Sequence, residues 1–191
     1  DVFLGREFLV TYRDDPATAP EIEAVVRAIG QGLALRPGTD GLLYEILDRA
    51  VDSYLPRVSA MSEELDALAD LILAGDRNGG ISQRVLEARR AAGTVRRTMA
   101  PLLAVVLRFG RGEFALVQQA NVIYFRDVYD HLLRVDLALE ELREDAEVAL
   151  STYLSTMNNK MNEVMKVLAV VGALALPATV ITGIFGTNFD S

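Results

Sequence analysis

Apolar residues recur at steps of three and four along the second half of the chain. Between Glu113 and Gly186 there is no glycine before Gly172 and no proline before Pro177. The pattern therefore predicts one continuous helix about 110 Å long, at 1.5 Å per residue. Steps that alternate between three and four are typical of a helix that packs through one narrow seam. The seam consists of Phe125, Val128, Leu132, Val135, Leu139, Leu142, Ala146, Ala149, Tyr153, Met157, Met161, Val164 and Leu168.

The first residues alternate in a way that is typical of short strands. Two strands are predicted on either side of Gly5 and Arg6, and the second, Phe8 to Tyr12, is rich in β-branched and aromatic residues. Only two strands are visible, so any larger sheet needs strands from elsewhere. We therefore expect residues 1–112 to be an N-terminally incomplete domain of α+β class, mostly helical in this chain.

The rest of this domain shows helical periodicity. Pro20 suits the first turn of one helix. A long apolar pattern covers residues 42–73, and Pro56 should kink it or mark a boundary within it. A third helix follows, which we predict to be capped by Ser82 and to end at the Gly-Arg-Gly of residues 110–112.

The C-terminal end of the long helical pattern is uncharged over residues 168–186. About twenty apolar residues suffice to cross a bilayer, and the alternative is a buried core helix. The mixture of Gly, Ala and Thr with Val, Leu and Ile favours a membrane span, and Pro177 is compatible with one. Lys160 and Lys166 precede the uncharged run and no Lys or Arg follows it, which predicts a cytoplasmic location for the preceding part of the chain.

A second stripe runs beside the seam near this span. Its small, apolar and sparsely polar positions are Asn162, Met165, Ala169, Gly172, Leu176, Val180, Gly183 and Thr187. In a symmetric bundle the stripe could line an ion conduit with a hydrophobic gate. It could equally be an ordinary helix–helix interface with polar ends, and periodicity alone favours that second interpretation.

Composition narrows the class of protein. The 191 residues carry a net charge of −8 and are 51% hydrophobic, which is enough for a core but argues against nucleic acid as the main partner. The absence of cysteine excludes disulfides and thiolate metal sites. No set of residues with the spacing of a catalytic site occurs, so we do not expect an enzyme.

Several motifs strongly resemble the CorA family of divalent-cation channels. They are YFRDVYDHLLRV (124–135), STYLSTMNNKMNEVMKVL (151–168) and GIFGTNF (183–189), while FLGREFLVTY and GLLYEILDRAVDSYLP match the family's cytoplasmic domain. The resemblance implies a homopentamer in the inner membrane of a prokaryote, with a cytoplasmic N-terminal domain. It also implies a stalk helix that continues as the pore-lining span, and a second, outer span that we expect to follow this chain.

On this resemblance the chain divides into four parts. We expect a cytoplasmic domain over 1–112, a stalk helix over 113–163, a pore-lining transmembrane helix over 164–186, and the start of an external loop over 187–191.

The external loop carries a variant of the family signature Gly-Met-Asn. Here the signature is formed by Gly186, Thr187 and Asn188. The resemblance implies a selectivity filter in which glycine brings the backbone close to the axis and five Asn188 amides hydrogen-bond a hydrated ion. Such a filter suits Mg²⁺, which sheds its waters reluctantly. Thr187 departs from the family pattern, and the zinc-transporting branch also varies at this position, so the identity of the permeant ion stays open.

The resemblance also implies five pore-lining positions, namely Asn162, Met165, Leu168, Leu176 and Gly183. The second stripe contains all of them except Leu168, which periodicity assigns to the seam.

A regulatory metal site is implied at Asp48 and Asp127. In the family, carboxylates at these positions hold Mg²⁺ between neighbouring subunits, and the alternative is that both are solvated helix residues. Asp52 lies one helical turn from Asp48 and could take part. His131 is predicted to be a helix-surface residue and not a ligand.

One further helix carries several basic residues on one face: Arg84, Arg89, Arg90, Arg96 and Arg97. We expect a solvated, salt-bridged face, with contact to anionic lipid as the alternative.

These observations predict a passive Mg²⁺ channel, with Co²⁺ and Ni²⁺ as further candidate ions, gated by cytoplasmic divalent ion and without an organic cofactor. Its partners would be copies of itself, membrane lipid and divalent cations, but not nucleic acid. Two alternatives stay open: a Zn²⁺-transporting member of the same superfamily, and a non-conducting, membrane-anchored coiled-coil adaptor.

Overall fold

The computed structural model describes residues 1–12, 20–32, 36–75 and 80–186. The elements in this part of the chain are β1 (Val2–Leu4), β2 (Leu9–Thr11), α1 (Pro20–Gly30), α2 (Thr39–Asp52), α3 (Tyr54–Leu73), α4 (Ile81–Gly110) and α5 (Val122–Gly186). The expected α+β class, mostly helical with two strands and a long C-terminal helix, is confirmed.

The two strands form an antiparallel hairpin in which Val2 pairs with Thr11. The Gly5 amide closes the connection by donating to the Phe8 carbonyl oxygen at 2.8 Å. A Cβ at position 5 would lie only 2.6 Å from the Phe8 ring, so any other residue there would require this exposed ring to move. The Thr39 hydroxyl donates to the Gly5 carbonyl oxygen at 2.6 Å, which joins the hairpin to the first turn of α2.

Helix boundaries follow the prolines and glycines only in part. The long pattern of residues 42–73 is divided at Ser53, and Pro56 lies in the first turn of α3, where a missing N–H costs no helical hydrogen bond. The prediction that Ser82 caps the third helix was wrong. Gly80 occupies the N-cap position without a side-chain cap, and Ser82 already lies inside α4.

The expected continuous helix from Glu113 was also wrong at its start. Helix α4 ends at Gly110, residues 111–121 form turns, and α5 begins at Val122. Gly112 adopts a φ of +69°, a left-handed conformation that favours glycine and terminates the helical path. The remaining α5 is one helix of 65 residues, roughly 100 Å long.

The physical reason for this break is a buried carboxylate on α2. Asp40 is 1% exposed and accepts the backbone N–H of Gln118 at 2.8 Å and the Asn121 side-chain amide at 2.9 Å. The Asn121 amide also donates to the Pro37 carbonyl oxygen at 3.2 Å. These bonds hold residues 111–121 against α2. They use the Gln118 backbone N–H, which a continuous helix would need for its own backbone hydrogen bond.

The core lies along the first half of α5. Every seam position from Phe125 to Ala149 is at most 5% exposed, which confirms this part of the predicted seam. Helices α3 and α4 cover it, and α4 runs antiparallel to α5. The Arg126 Nε donates to the Gly110 carbonyl oxygen at 2.7 Å, whereas Arg89 meets Glu147 at the other end of α4. Beyond Tyr153, which is half-buried, no described residue buries the seam.

Candidate functional site

Helices α2 and α5 bring four titratable side chains together, which we call the carboxylate cluster: Asp48, Asp52, Asp127 and His131. On each helix the two members are spaced by four residues and therefore share one face. His131 Nδ1 lies 3.2 Å from Asp52 Oδ1, and His131 Nε2 lies 3.8 Å from Asp127 Oδ1. One ligand atom from each of Asp48, Asp52 and His131 lies within 4.8 Å of the other two.

The electrostatics of the cluster disfavour a full set of negative charges. Partial burial raises the pKa of Asp48, and the neighbouring Asp52 and Glu45 raise it further. Asp127 adds to this effect from α5, whereas His131 opposes it. Carboxylate oxygens that raise one another's pKa are stabilised by a nearby cation, and they are the ligand type that Mg²⁺ and Ca²⁺ prefer.

Both predicted regulatory residues, Asp48 and Asp127, belong to this cluster, but only Asp48, Asp52 and His131 have ligand atoms within 4.8 Å of one another, and Asp127 joins them through its contact with His131. The structure also assigns a place there to Asp52, which the sequence suggested, and to His131, which we expected to be a simple surface residue. His131 bridges carboxylates of two helices and its side chain is only 24% exposed. The four-residue spacing was visible in the sequence, but nothing in the sequence showed that the two helix faces meet.

Aromatic packing fixes α2 against α5 one turn before the cluster. The Arg36 guanidinium carbon lies 4.8 Å from the Tyr44 ring centroid and 3.3 Å from that of Tyr124. The two tyrosine rings are 5.5 Å apart, and Tyr44 also meets Phe125 edge-on at 6.3 Å. Tyr44 precedes Asp48 by four residues, so this cation–π stack and the Asp40 hydrogen bonds set where the cluster carboxylates lie.

The second candidate site is the uncharged end of α5. Within the described residues, α5 is the one helix that is long and apolar enough to cross a membrane, and its apolar window is not buried against the rest of the chain. This exposure does not fit the alternative of a soluble core helix. Thr179 and Thr182 donate their hydroxyls to the carbonyl oxygens of Ala175 and Ala178, at 2.8 and 3.0 Å. Their polar groups are thereby satisfied inside the helix, as an apolar surrounding requires.

The proposed pore-lining residues fall on neighbouring faces of this helix. At about 100° per residue, Met165, Leu176 and Gly183 lie within roughly 20° of one another, and Asn162 lies about 60° from Met165 on one side. Leu168 lies about 60° from Met165 on the other side, where the second stripe borders the seam. Both assignments of Leu168 are therefore compatible with one wide face.

The filter residues mark the end of the described chain. Gly186 is the last described residue and the last position of α5. Thr187 and Asn188 lie outside the described residues, so their predicted role stays a prediction.

Comparison with solved structures defines the class of fold. The chain aligns over its whole length with 60% of the CorA magnesium transporter from Methanocaldococcus jannaschii, with a TM-score of 0.85 and 24% identity. It aligns equally completely with 57% of the full-length CmaX protein, with a TM-score of 0.87 and 20% identity. The arrangement of a small mixed domain on a long helix is thus shared with these proteins.

Sequence comparison identifies the family. Residues 1–191 match the family described as CorA-like Mg²⁺ transporter protein, and the chain belongs to this family. It is 34% identical to the cobalt/magnesium transport protein CorA of Thermotoga maritima, over 84% of this chain and 45% of that protein. It is 26% identical to the protein of the same name from Methanocaldococcus jannaschii, over 99% of this chain and 60% of that protein. The chain thus spans about half the length of these relatives.

Proposed function

We propose that this chain forms the pore-lining part of a divalent-cation channel that lets Mg²⁺, and also Co²⁺ and Ni²⁺, flow passively into the cell. The observation that carries the proposal is the continuity of α5. One unbroken helix begins at the carboxylate cluster and ends in an apolar stretch that the described chain leaves uncovered. A cation bound at one end can therefore act mechanically on a membrane segment at the other. Family membership and the names of the relatives, which are magnesium and cobalt transport proteins, support the choice of ion.

In this proposal five identical chains surround one axis in the inner membrane of a prokaryote, with residues 1–163 in the cytoplasm. The stripe of Asn162, Met165, Leu176 and Gly183, with Leu168 at its border, faces the axis. Its apolar middle would exclude water when the helices are close together, which is how a hydrophobic gate works. The exposed seam beyond Tyr153 supports further copies as its cover, because large uncovered apolar surfaces mark interfaces with protein or lipid.

The proposed selectivity filter is the collar formed by Gly186, Thr187 and Asn188. Amide oxygens can hydrogen-bond the water shell of Mg²⁺ and release it again, because they do not have to replace that shell. The threonine hydroxyl would add a second polar ring behind the amides.

The proposed gate responds to Mg²⁺ at Asp48 and Asp127, aided by Asp52 and His131. Without the ion the carboxylates repel one another, and with it the repulsion is cancelled. If carboxylates of adjacent copies share the ion, its loss lets the subunits separate. Differential binding to the two arrangements then shifts the population toward the open pore when cytoplasmic Mg²⁺ is low.

Mg²⁺ uptake into liposomes that contain the purified full chain tests the proposal. An entrapped fluorescent indicator should report uptake that increases when the interior is negative. Asn188→Ala should reduce this uptake strongly, whereas Leu174→Ala, on the opposite face of α5, should leave it unchanged. Equal uptake by the Asn188 variant and the parent would contradict the filter assignment.

The same assay separates the alternatives. Uptake of Zn²⁺ in preference to Mg²⁺, Co²⁺ and Ni²⁺ would identify a zinc-transporting member. Membrane insertion without uptake of any of the four ions would support the non-conducting adaptor. Thr187→Met restores the family signature. If that variant takes up the four ions in a different order of preference, the middle residue of the filter determines which ion is preferred.

A further inference from the structure

A groove of about 870 Å³ between α4 and α5 concentrates positive charge on this acidic chain. We call it the arginine groove, because its lining includes Arg89, Arg90, Arg96 and Arg97 of α4 and Arg143 of α5. Its size is within the range of pockets that hold small organic ligands. It lies outside the carboxylate cluster and outside the apolar stretch, and the proposed transport function makes no use of it.

The charge in the groove is only partly neutralised. Three acidic side chains of α5 pair with three of the arginines, and they are Asp136, Glu140 and Glu147. Arg90 and Arg97 are exposed and make no ion pair with any described residue. Arg97 donates one N–H to the Thr94 hydroxyl at 3.1 Å and keeps its other guanidinium donors. The groove therefore presents the two guanidinium groups of Arg90 and Arg97, whose planar fork matches the oxygens of a phosphate group.

A glycine lies in the lining of the groove. Gly93 lines it in the interior of α4, where glycine lowers helix stability relative to alanine. A Cβ at this position would meet only side chains of the groove itself, Arg97 Nη1 at 3.5 Å and Arg143 Cδ at 3.9 Å. Alanine would fit at ordinary van der Waals distances, so the packing of the protein core does not account for the glycine.

The position along α5 excludes a lipid headgroup as the occupant. Arg143 precedes the proposed membrane segment at Val164 by a continuous stretch of helix, which corresponds to roughly 30 Å at 1.5 Å per residue. Headgroups at the membrane surface do not extend that far. The phosphate must therefore come from a molecule in solution.

We propose that the arginine groove binds a soluble, phosphate-bearing polyanion. Arg90 and Arg97 supply charge that no described residue neutralises, and Gly93 adds no side chain to the groove. A triphosphate chain is the best match, because its several charges can meet the spare guanidinium groups together. The proposal goes beyond the transport function, and it rests on the proposed membrane segment only where it excludes a lipid headgroup as the source of the phosphate.

Calorimetric titration of the purified full chain with tripolyphosphate, ATP and inorganic phosphate tests this proposal at low ionic strength. We expect tripolyphosphate and ATP to bind more tightly than inorganic phosphate, and added salt to weaken both. Similar affinities for ATP and tripolyphosphate would show that the phosphate chain alone is recognised, whereas tighter ATP binding would show that the nucleoside also contributes. Equal affinity for all three, or no binding, would overturn the proposal.

Two groove variants and one matched control locate the site. Arg90→Gln/Arg97→Gln should weaken tripolyphosphate binding at least about tenfold, since hydrogen bonds to charged groups are the strong ones. Arg84→Gln/Arg111→Gln removes the same charge from exposed positions outside the groove and should change affinity little. Gly93→Leu fills the groove without changing the charge and should also weaken binding. If the double groove variant changes the oligomeric state and not the affinity, the groove is a subunit contact and the proposal fails.

Discussion

Asp48→Asn should stabilise the protein when divalent cation is absent and should remove the stabilisation that Mg²⁺ provides. Asp48 is one of the carboxylates that lie within 4.8 Å of another ligand atom in the cluster, and its pKa is raised by burial and by Asp52. Asparagine keeps the shape of the protonated side chain but carries no charge. The substitution therefore removes repulsion and a cation ligand at the same time.

The expected change in the free energy of unfolding follows from the distance between the charged atoms. Two unit charges 4.8 Å apart repel by about 1 kcal/mol in a water-like dielectric and by about 3 kcal/mol at an effective dielectric constant of 20. Asp48 and Asp52 are both partly solvated, so the smaller value is the better guide. We expect the free energy of unfolding to rise by about 1 kcal/mol in chelator. Conversely, Mg²⁺ at a hundred times its dissociation constant should stabilise the parent by about 2.7 kcal/mol and should have little effect on the variant.

The destabilisation caused by the Asp48 charge should depend on pH in a defined direction. Because the folded pKa of Asp48 is raised, the folded chain retains this proton at a pH where the unfolded chain has lost it. The destabilisation is therefore absent below the unfolded pKa, grows as pH rises toward the folded pKa, and is complete above the folded pKa. The increase in the free energy of unfolding caused by Asp48→Asn should depend on pH in the same way, and it should vanish below the unfolded pKa.

Thermal unfolding of the full chain in detergent, followed by far-ultraviolet circular dichroism with chelator or with Mg²⁺, measures both effects. Asp145→Asn is the matched control, because it removes the same charge from an exposed position of α5 outside the cluster. A Mg²⁺ response of Asp48→Asn equal to that of the parent would refute the assignment of Asp48 as a ligand. A loss of stability in chelator would refute the argument from repulsion.

Three further predictions concern the packing of α5, the hydrogen bonds that position the cluster, and the ionisation of the cluster itself. Leu139→Ala, at a fully buried seam position, should lower the free energy of unfolding by about 3–5 kcal/mol, whereas the exposed Val148→Ala should stay within about 0.5 kcal/mol in the same melts. Asp40→Ala leaves two amide donors of residues 111–121 without their acceptor, so it should cost about 2–5 kcal/mol and also weaken Mg²⁺ binding, as measured by the cation-dependent shift in melting temperature. The Mg²⁺ affinity of the parent should fall as pH falls through the raised pKa of Asp48, and a titration series at several pH values checks this.

The buried seam of α5 could be predicted because it depends on local periodicity. Phe125, Val135 and Leu142 occupy one face wherever the backbone is helical, and the structure buries that face. The beginning of the helix could not be predicted in this way. It depends on the Asp40 carboxylate, 78 residues before Gln118 in sequence, which accepts the backbone amide that a continuous helix would have used.

The carboxylate cluster shows the same limit. The resemblance named Asp48 and Asp127, and both lie in the cluster. The sequence also suggested Asp52, but His131 needed the structure, since a histidine four residues from an aspartate is common on helix surfaces. Only the packing of α2 on α5 showed that His131 Nδ1 lies 3.2 Å from Asp52.

Thiol block of Mg²⁺ uptake tests most directly whether one face of α5 lines the ion path. Residues 1–191 contain no cysteine, so single cysteines at Leu176 and at Leu174, which lie on opposite faces of the helix, can be compared with each other and with the unsubstituted parent as the background control. A charged thiol reagent added to liposomes should stop uptake through Leu176→Cys and leave uptake through Leu174→Cys unchanged. Block at both positions, at neither, or only at Leu174 would contradict the account.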